Sequence, residues 1–360
     1  MLFFTASKPT TEVRSWVVMS YLSDTKTGAN RKMLSLLNHA ATYDIPFSFI
    51  FPSHKGSETL VNALSENGYR VTAKEIYGGR IGLLLWLLTK FCRSNSKIIS
   101  DLVPTPAFFS KKFLWLIHDI RPAYGYKGRV LLDKVYITLV KRVRNFVSIS
   151  EFSASEIRSL NPKAEVIIWS NGIDKQFWTY NKMLTEEPIP SFLIVGNFED
   201  RKRHLFVLRS LGEHYSSHNA KISITAVGNP GPTLKEFVKL GHDYSEHVTL
   251  NVLHGLSDTD LRALYQKSSL VIIPSSYEGF GLTVLEASRS SSRFICSDIP
   301  AHREVGNDSY IYFEVDNQED FIDKARLALN FEPRWWNADN SSYSLLDVNI
   351  EFAKAMSEKK

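Results

Sequence analysis

The sequence predicts an α/β protein made of two doubly wound domains. Three observations carry this: apolar runs of strand length recur along the chain, stretches with helical spacing separate them, and the pattern breaks once near the middle before starting again. At 360 residues the chain is long enough for two separate cores. A hydrophobic content of 44% and a charged content of 22% are ordinary for a globular protein, so bulk composition excludes no class of enzyme or binding protein.

The first domain is expected over residues 1–176. Residues 16–21 read as its first buried strand and 47–51 as the next, and Met33, Leu36, Leu37, Ala40 and Ala41 lie between them at helical spacing. Gly28 stands at the entrance of that helix. Residues 80–93 read as a short helix belonging to the core, and Ile98-Ile99 begin another strand. A strand over 113–117 ends in His118-Asp119-Ile120-Arg121-Pro122, and the carboxyl end of a parallel strand is where open α/β sheets bind ligands. An aromatic and basic loop at 124–129 leads to a helix expected to carry Lys134, Lys141, Arg142 and Arg144. After a strand at 146–150, Ser150 and Ser153 are capping candidates for a helix, and the strand 166–168 runs into Asn171-Gly172-Ile173-Asp174.

Periodicity is lost over 177–190, which reads as a linker. A second domain over 191–339 has strands at 192–196, 222–228, 248–250, 270–273 and 294–298. Asp258 is the expected cap of the helix before residue 270. In the tail, 340–360, Leu345, Val348, Phe352 and Ala355 make a helical stripe.

Two loops of the second domain carry chemistry. The segment from Pro274 to Ala287 reads as strand, glycine loop and a helix beginning at Leu282, an arrangement that offers unpaired amides and a positive dipole end to an anion. Gly279 and Gly281 let a ligand approach the backbone, and Glu278 and Glu286 flank the cradle. The other loop, Gly196 to His204, contains three consecutive cations, Arg201-Lys202-Arg203, suited to a leaving diphosphate.

Tyr277-Glu278-Gly279-Phe280-Gly281-Leu282 with Leu285-Glu286-Ala287 resembles the Glu-x7-Glu motif of retaining, nucleotide-sugar-dependent family 4 glycosyltransferases. His118-Asp119 and Arg201-Lys202 are similar to the corresponding strings of its mannosyltransferase-like group. The resemblance implies a GT-B fold, with two Rossmann-like domains facing an interdomain cleft and the terminal helix returning to the first domain. It implies a flexible donor-side loop at Gly28, sugar hydroxyls on Glu278, and sugar or acceptor contacts from His118 with Asp119 orienting it or a hydroxyl. It further implies sugar and phosphate oxygens on Gly279, Phe280, Gly281, Leu282 and Thr283, ribose on Glu286, and diphosphate on Arg201 and Lys202. Two departures stand out. Asn197 takes a position often held by arginine, and Ser288 to Arg293 replaces the usual small residue, glycine and proline, which puts the turn geometry and nucleotide-base fit in question.

No Asp-x-Asp and no cluster with metal-ligand spacing is present, so metal-independent transfer without a resident cofactor is expected, with GDP-mannose as the guessed co-substrate. No P-loop and no complete Gly-x-Gly-x-x-Gly is found, and no nucleic-acid-binding module accompanies the basic charge. The first 180 residues hold 24 Lys+Arg against 13 Asp+Glu and the rest 19 against 25, so a glycan or lipid-linked acceptor and peripheral membrane contact are both compatible with the basic first domain. With only Cys92 and Cys296, no secretory-type apolar run at 1–5, and a longest apolar run at Leu83 to Leu88, a cytoplasmic protein is expected. The alternative reading is a catalytically inactive nucleotide-sugar-binding or scaffold protein of the same fold.

Overall fold

The computed structural model describes residues 2–7, 16–19, 32, 47–52, 62, 65–66, 70–75, 97–101, 113–120, 130–174, 178, 189–290, 292–306, 308–330 and 343–358. The chain divides into two compact units, Met1–Gly172 together with Leu345–Lys360, and Ile173–Ser344. Each contains a mainly or wholly parallel sheet flanked by helices, the doubly wound α/β architecture expected from the sequence.

The first unit has strands β1 (Leu2–Ser7), β2 (Trp16–Met19), β3 (Phe47–Pro52), β4 (Arg70–Glu75), β5 (Lys97–Ser100), β6 (Phe113–Ile117), β7 (Asn145–Ser148) and β8 (Glu165–Ile168). Their order is β4-β1-β3-β2-β5-β6-β7-β8. Pairing is parallel from β3 to β8, and β1 runs antiparallel between β3 and β4. The sequence reading began this sheet at residue 16 and had neither β1 nor β4. Edge strand β4, Arg-Val-Thr-Ala-Lys-Glu, lacks the apolar run of a central strand because an edge favours charged residues. Interior β6 is buried at all five positions, which explains its unbroken apolar sequence.

Helix α1 (Val130–Val140) and helix α2 (Glu151–Leu160) flank β7 in sequence. The Ser150 hydroxyl caps α2 by accepting from the Ser153 amide at 2.9 Å. Helix α1 stops earlier than the basic pattern suggested, so Lys141, Arg142 and Arg144 lie beyond its end and Lys134 alone of the four is helical. The Asn161 side-chain amide donates to the Val140 and Val143 carbonyls at 2.9 and 2.6 Å, satisfying backbone acceptors where the helix ends. Gly28, the helix read at 80–93 and the loop 124–129 lie outside the described residues.

The second unit has strands β9 (Ser191–Val195), β10 (Ile222–Val227), β11 (Val248–Leu253), β12 (Leu270–Ile273), β13 (Phe294–Ser297) and β14 (Ile311–Phe313), all parallel, in the order β11-β10-β9-β12-β13-β14. Its helices are α3 (His204–Ser217), α4 (Leu234–Asp243), α5 (Asp258–Lys267), α6 (Leu282–Arg289), α7 (Pro300–Val305) and α8 (Gln318–Asn330). Phe192, Ile194, Ile224, Ile272 and Ile295 from the sheet pack with Phe198, Leu208, Phe237 and Phe321 into one core. The cap of α5 is Ser257, whose hydroxyl accepts from the Asp260 amide at 3.1 Å, and the expected cap Asp258 is instead the first helical residue. Both residue types cap well, and a side-chain partner three positions on favours the serine, since its hydroxyl also donates to the Asp260 carboxylate at 2.5 Å.

Strand order reverses between β9 and β12, so the loops leaving these two neighbours flank the topological switch point. Gly228 holds the first loop in place: a Cβ there would lie 1.8 Å from the Gly196 carbonyl oxygen, so only glycine allows the two backbones to approach this closely. Gly228→Ala therefore forces the β9 loop to shift and is expected to cost more than about 2 kcal/mol of stability. Denaturant unfolding checks this, and a midpoint equal to that of the parent would show that the backbones can separate without loss.

After the second unit the chain enters helix α9 (Leu345–Glu358), grouped with the first unit. Trp169, just past β8, stacks on Phe352 of α9 with ring centroids 4.3 Å apart and planes within 7°. Its indole nitrogen donates to Asn349 at 2.9 Å. The Lys32 ammonium lies 4.2 Å from the Trp169 ring centroid and donates to the Trp169 and Ser170 carbonyls, so this charge is buried against a ring and two backbone acceptors.

Candidate active site

The site grows out of the two loops at the switch point of the second unit. After β9 a single 3-10 turn, Asp200–Lys202, sends its cations in different directions. Arg201 donates to Glu278 at 3.0 Å, to the Tyr277 carbonyl at 3.1 Å and to Glu199 at 2.8 Å. The Lys202 ammonium donates to the other oxygen of Glu278. Arg203, the third cation, turns away in a left-handed conformation (φ 51°) and pairs with Asp200 and Asp316 at 2.8 and 3.0 Å. The loops are also stitched by backbone, the Ser276 amide donating to the Arg201 carbonyl at 2.8 Å. Two adjacent cations and a carboxylate more than seventy positions further on thus form one compact charge cluster, with Glu278 between the cations.

Burial alone pushes the Glu278 carboxyl upward, but Lys202 and Arg201, with hydrogen bonds from Lys202 and Ser275, bring it well below the usual carboxylate range. Ser275 donates to it at 2.7 Å. Behind Ser275 the Ser297 hydroxyl donates to the Ser275 carbonyl, and Nδ1 of buried His302 donates to the Ser297 carbonyl at 2.9 Å, with the Ser297 hydroxyl oxygen at 3.2 Å. Burial lowers His302 to about 4, so its ring is neutral at neutral pH and serves as packing and hydrogen-bond support under the loop.

Gly281, at φ 121°, opens α6, and a Cβ there would meet Val305 at 3.0 Å. The Leu282 and Thr283 amides begin the helix with no hydrogen-bond acceptor among the described residues, and they make up its positive end beside the Glu278 cluster. Phe280 is buried edge-on against Tyr343 at 5.3 Å, so it offers a ligand its backbone rather than its ring. Gly279 is buried in the same loop. Glu286 is inside α6, 4% exposed, and accepts from the Tyr265 hydroxyl at 3.0 Å.

The serine-rich turn after α6 is closed by its own hydroxyls. Ser288 donates to the Leu285 carbonyl at 3.0 Å, Ser290 to the Glu286 carbonyl at 2.7 Å and Ser292 to the Tyr265 carbonyl at 2.6 Å. Sequence reasoning recognised the departure here but missed what the serines do.

His118 and Asp119 belong to the first unit, directly after β6. The carboxylate beside His118 is Asp101, at the end of neighbouring β5, with Oδ2 3.9 Å from Nε2. Asp101 and Tyr265 are polar residues that sequence reasoning left out, as are Ser275 and Glu199, which pair with Glu278 and Arg201. Strand register across β5 and β6 finds the first, because both end at the same edge of the sheet. Among the described residues no group of three or more His, Cys, Asp or Glu is arranged to hold a metal ion, and no helix is long and apolar enough to cross a membrane.

Residues 180–340 match the sequence model of the family described as glycosyl transferases group 1. This chain is a GT-B protein related to the group 1 glycosyl transferases. A serotype-specific mannosyltransferase, WbdA of Escherichia coli, is 33% identical to the GT-B chain over 125 residues, 34% of this chain and 15% of WbdA. The O-antigen chain mannosyltransferase RfbU of Salmonella typhimurium is 27% identical over 245 residues, 66% of this chain and 65% of RfbU. The GT-B chain therefore spans about a sixth of WbdA and just under two thirds of RfbU. Among solved structures, HepE of Anabaena in complex with UDP and glucose superposes with a TM-score of 0.69 at 13% identity, covering 95% of this chain and 99% of that one. At that identity the superposition speaks for the GT-B fold alone.

Proposed function

We propose that this chain is a retaining glycosyltransferase that moves a sugar from a nucleotide diphosphate sugar to an acceptor hydroxyl without a metal ion. The observation that carries the reading is the meeting of Arg201, Lys202 and Glu278 beside the open amides of α6, at the switch point where doubly wound sheets bind ligands. In this reading Arg201, Lys202 and the Leu282 and Thr283 amides take the diphosphate oxygens, and Gly279, Phe280 and Gly281 let sugar and phosphate approach the backbone. Glu278 takes sugar hydroxyls and Glu286 holds the ribose, while His118, Asp119 and Gly28 keep the sugar, acceptor and donor roles that the family resemblance implies. The acceptor oxygen bonds to the anomeric carbon as the bond from that carbon to the phosphate oxygen breaks. The departing phosphate takes the acceptor proton, so no separate base is required, and fixed cations stabilise its developing charge.

Mannose from GDP-mannose is the first candidate donor, because WbdA and RfbU are both named as mannosyltransferases. A glycan or lipid-linked glycan acceptor in polysaccharide assembly follows from the O-antigen chain in the name of RfbU. We place the reaction in the cytoplasm.

A panel of UDP, GDP and ADP sugars, scored by protection from thermal unfolding and by sugar transfer, tests the reading. GDP-mannose is expected to protect most, by about 2.7 kcal/mol at a hundredfold excess over Kd, and a chelator is expected to leave transfer unchanged. Protection by no nucleotide sugar would overturn the donor assignment. Activity lost to the chelator and recovered with a divalent ion would overturn metal independence.

A further inference from the structure

Glu286 is tied to its surroundings by hydrogen bonds from both its carboxylate and its carbonyl. Its carboxylate accepts from the Tyr265 hydroxyl at 3.0 Å, and its carbonyl accepts both the Ser290 hydroxyl at 2.7 Å and the Ser290 amide at 3.0 Å. The Tyr265 carbonyl in turn accepts from the Ser292 hydroxyl at 2.6 Å. Tyr265 is fully buried in α5, with Trp178 edge-on to its ring at 5.6 Å, and Ser290 and Ser292 are fully buried as well. These bonds tie the Glu286 carboxylate to Tyr265, the Tyr265 carbonyl to Ser292 and the Glu286 carbonyl to Ser290.

A carboxylate on a three-carbon stem turns freely about its last bond unless an oxygen is anchored. The phenol is rigid, its ring is packed by Trp178, and its proton is committed to Oε2, so it fixes the carboxylate plane in one orientation. The Ser292 bond holds the backbone of α5 against the end of α6, and the distance from phenol to carboxylate is maintained with it.

We propose that Tyr265 is a positioning residue for nucleotide recognition: it orients the Glu286 carboxylate toward the ribose diol of a nucleoside diphosphate, and the Ser290–Ser292 turn braces the pair. This rests on the role proposed above for Glu286. The serine turn is then a working part of the nucleotide site, in which two hydroxyls replace a glycine-proline turn as the means of fixing α6.

The decisive measurement is the ratio of dissociation constants for the 2′,3′-dideoxy and the ordinary forms of GDP, UDP and ADP, taken on the parent, Tyr265→Phe and Ser292→Ala. For the base that binds best, the parent is expected to lose about tenfold in affinity when the diol is removed. In Tyr265→Phe the ordinary nucleotide is expected to bind about tenfold more weakly and the dideoxy form nearly as in the parent, so the ratio falls toward one. In Ser292→Ala the ratio should fall in the same direction by a smaller factor, which keeps the test usable if Tyr265→Phe folds poorly. A ratio left at its parental value in both variants, with either one folded, overturns the positioning role while leaving Glu286 at the ribose. A ratio of one in the parent itself shows instead that Glu286 does not read the diol, and removes the premise.

Discussion

Lys202→Ala is expected to lower turnover by about 100- to 1,000-fold, the range seen when one preorganised charge donor is withdrawn from a developing anion, or roughly 3–4 kcal/mol. Lys202 sits in a turn of three residues, and its ammonium faces Glu278 with 11% of the side chain exposed. A flexible surface lysine would be replaced by water and counterions. The stem of this one runs close over Gly196, where a Cβ would meet it at 3.0 Å, and its ammonium is paired with Glu278. Its loss also leaves Glu278 with Arg201 as its remaining cationic partner in the cluster, and the Glu278 carboxyl must rise from its depressed value. Pairing the change with Glu278→Gln relieves the charge left without Lys202 and should recover the stability lost in Lys202→Ala. Steady-state transfer kinetics checks the prediction, and unaltered kinetics in Lys202→Ala would remove the diphosphate assignment.

The second large effect is on acid stability. Burial lowers His204 to about 3, with Lys202 adding to the shift, and lowers His302 to about 4. An unfolded chain protonates these rings near the ordinary value of about 6.5. Above that pH both states bind the same number of protons and the histidines contribute nothing. Below it the unfolded state takes up protons that the folded state refuses, so stability falls by on the order of 1.4 kcal/mol per pH unit for each ring, until the folded values are reached. Between pH 6.5 and 5 carboxylates remain largely ionised, so the fall in that window belongs to the histidines. Urea unfolding of the parent and of His302→Gln across that window is expected to show a steep dependence in the parent and a shallower one in the variant, where His204 and the also lowered His214 remain. Equal slopes would show that His302 accepts a proton without unfolding.

How much of this could be read from the sequence follows from the range of each interaction. Interior strands such as β6 and β12 declare themselves as apolar runs because both faces are covered. Edge strand β4 does not, because a short run of mixed charged and apolar residues resembles a loop in sequence. The Glu278 loop was legible as strand, glycines and helix, and Arg201-Lys202 as a cation run. That the two meet is a consequence of β9 lying next to β12, which periodicity does not encode. The bond from Tyr265 to Glu286 is hidden for a similar reason: it joins helices on either side of β12. Asp258 was expected as the cap, whereas the hydroxyl that caps the helix by accepting from the residue 260 amide is that of its neighbour Ser257, a one-residue shift that composition does not resolve.

The junction of Trp169 with Phe352 and Asn349 has a consequence for how the chain acquires its structure. Residues 173–344 are one uninterrupted segment, whereas the unit that starts earlier on the chain draws helix α9 from beyond that segment. During synthesis the second unit can therefore be complete while Trp169 still waits for its stacking partner, reversing the usual order in which the amino-terminal domain finishes first. Until Leu345–Glu358 has emerged, the Trp169 ring lacks its stacking partner Phe352 and its indole nitrogen lacks Asn349.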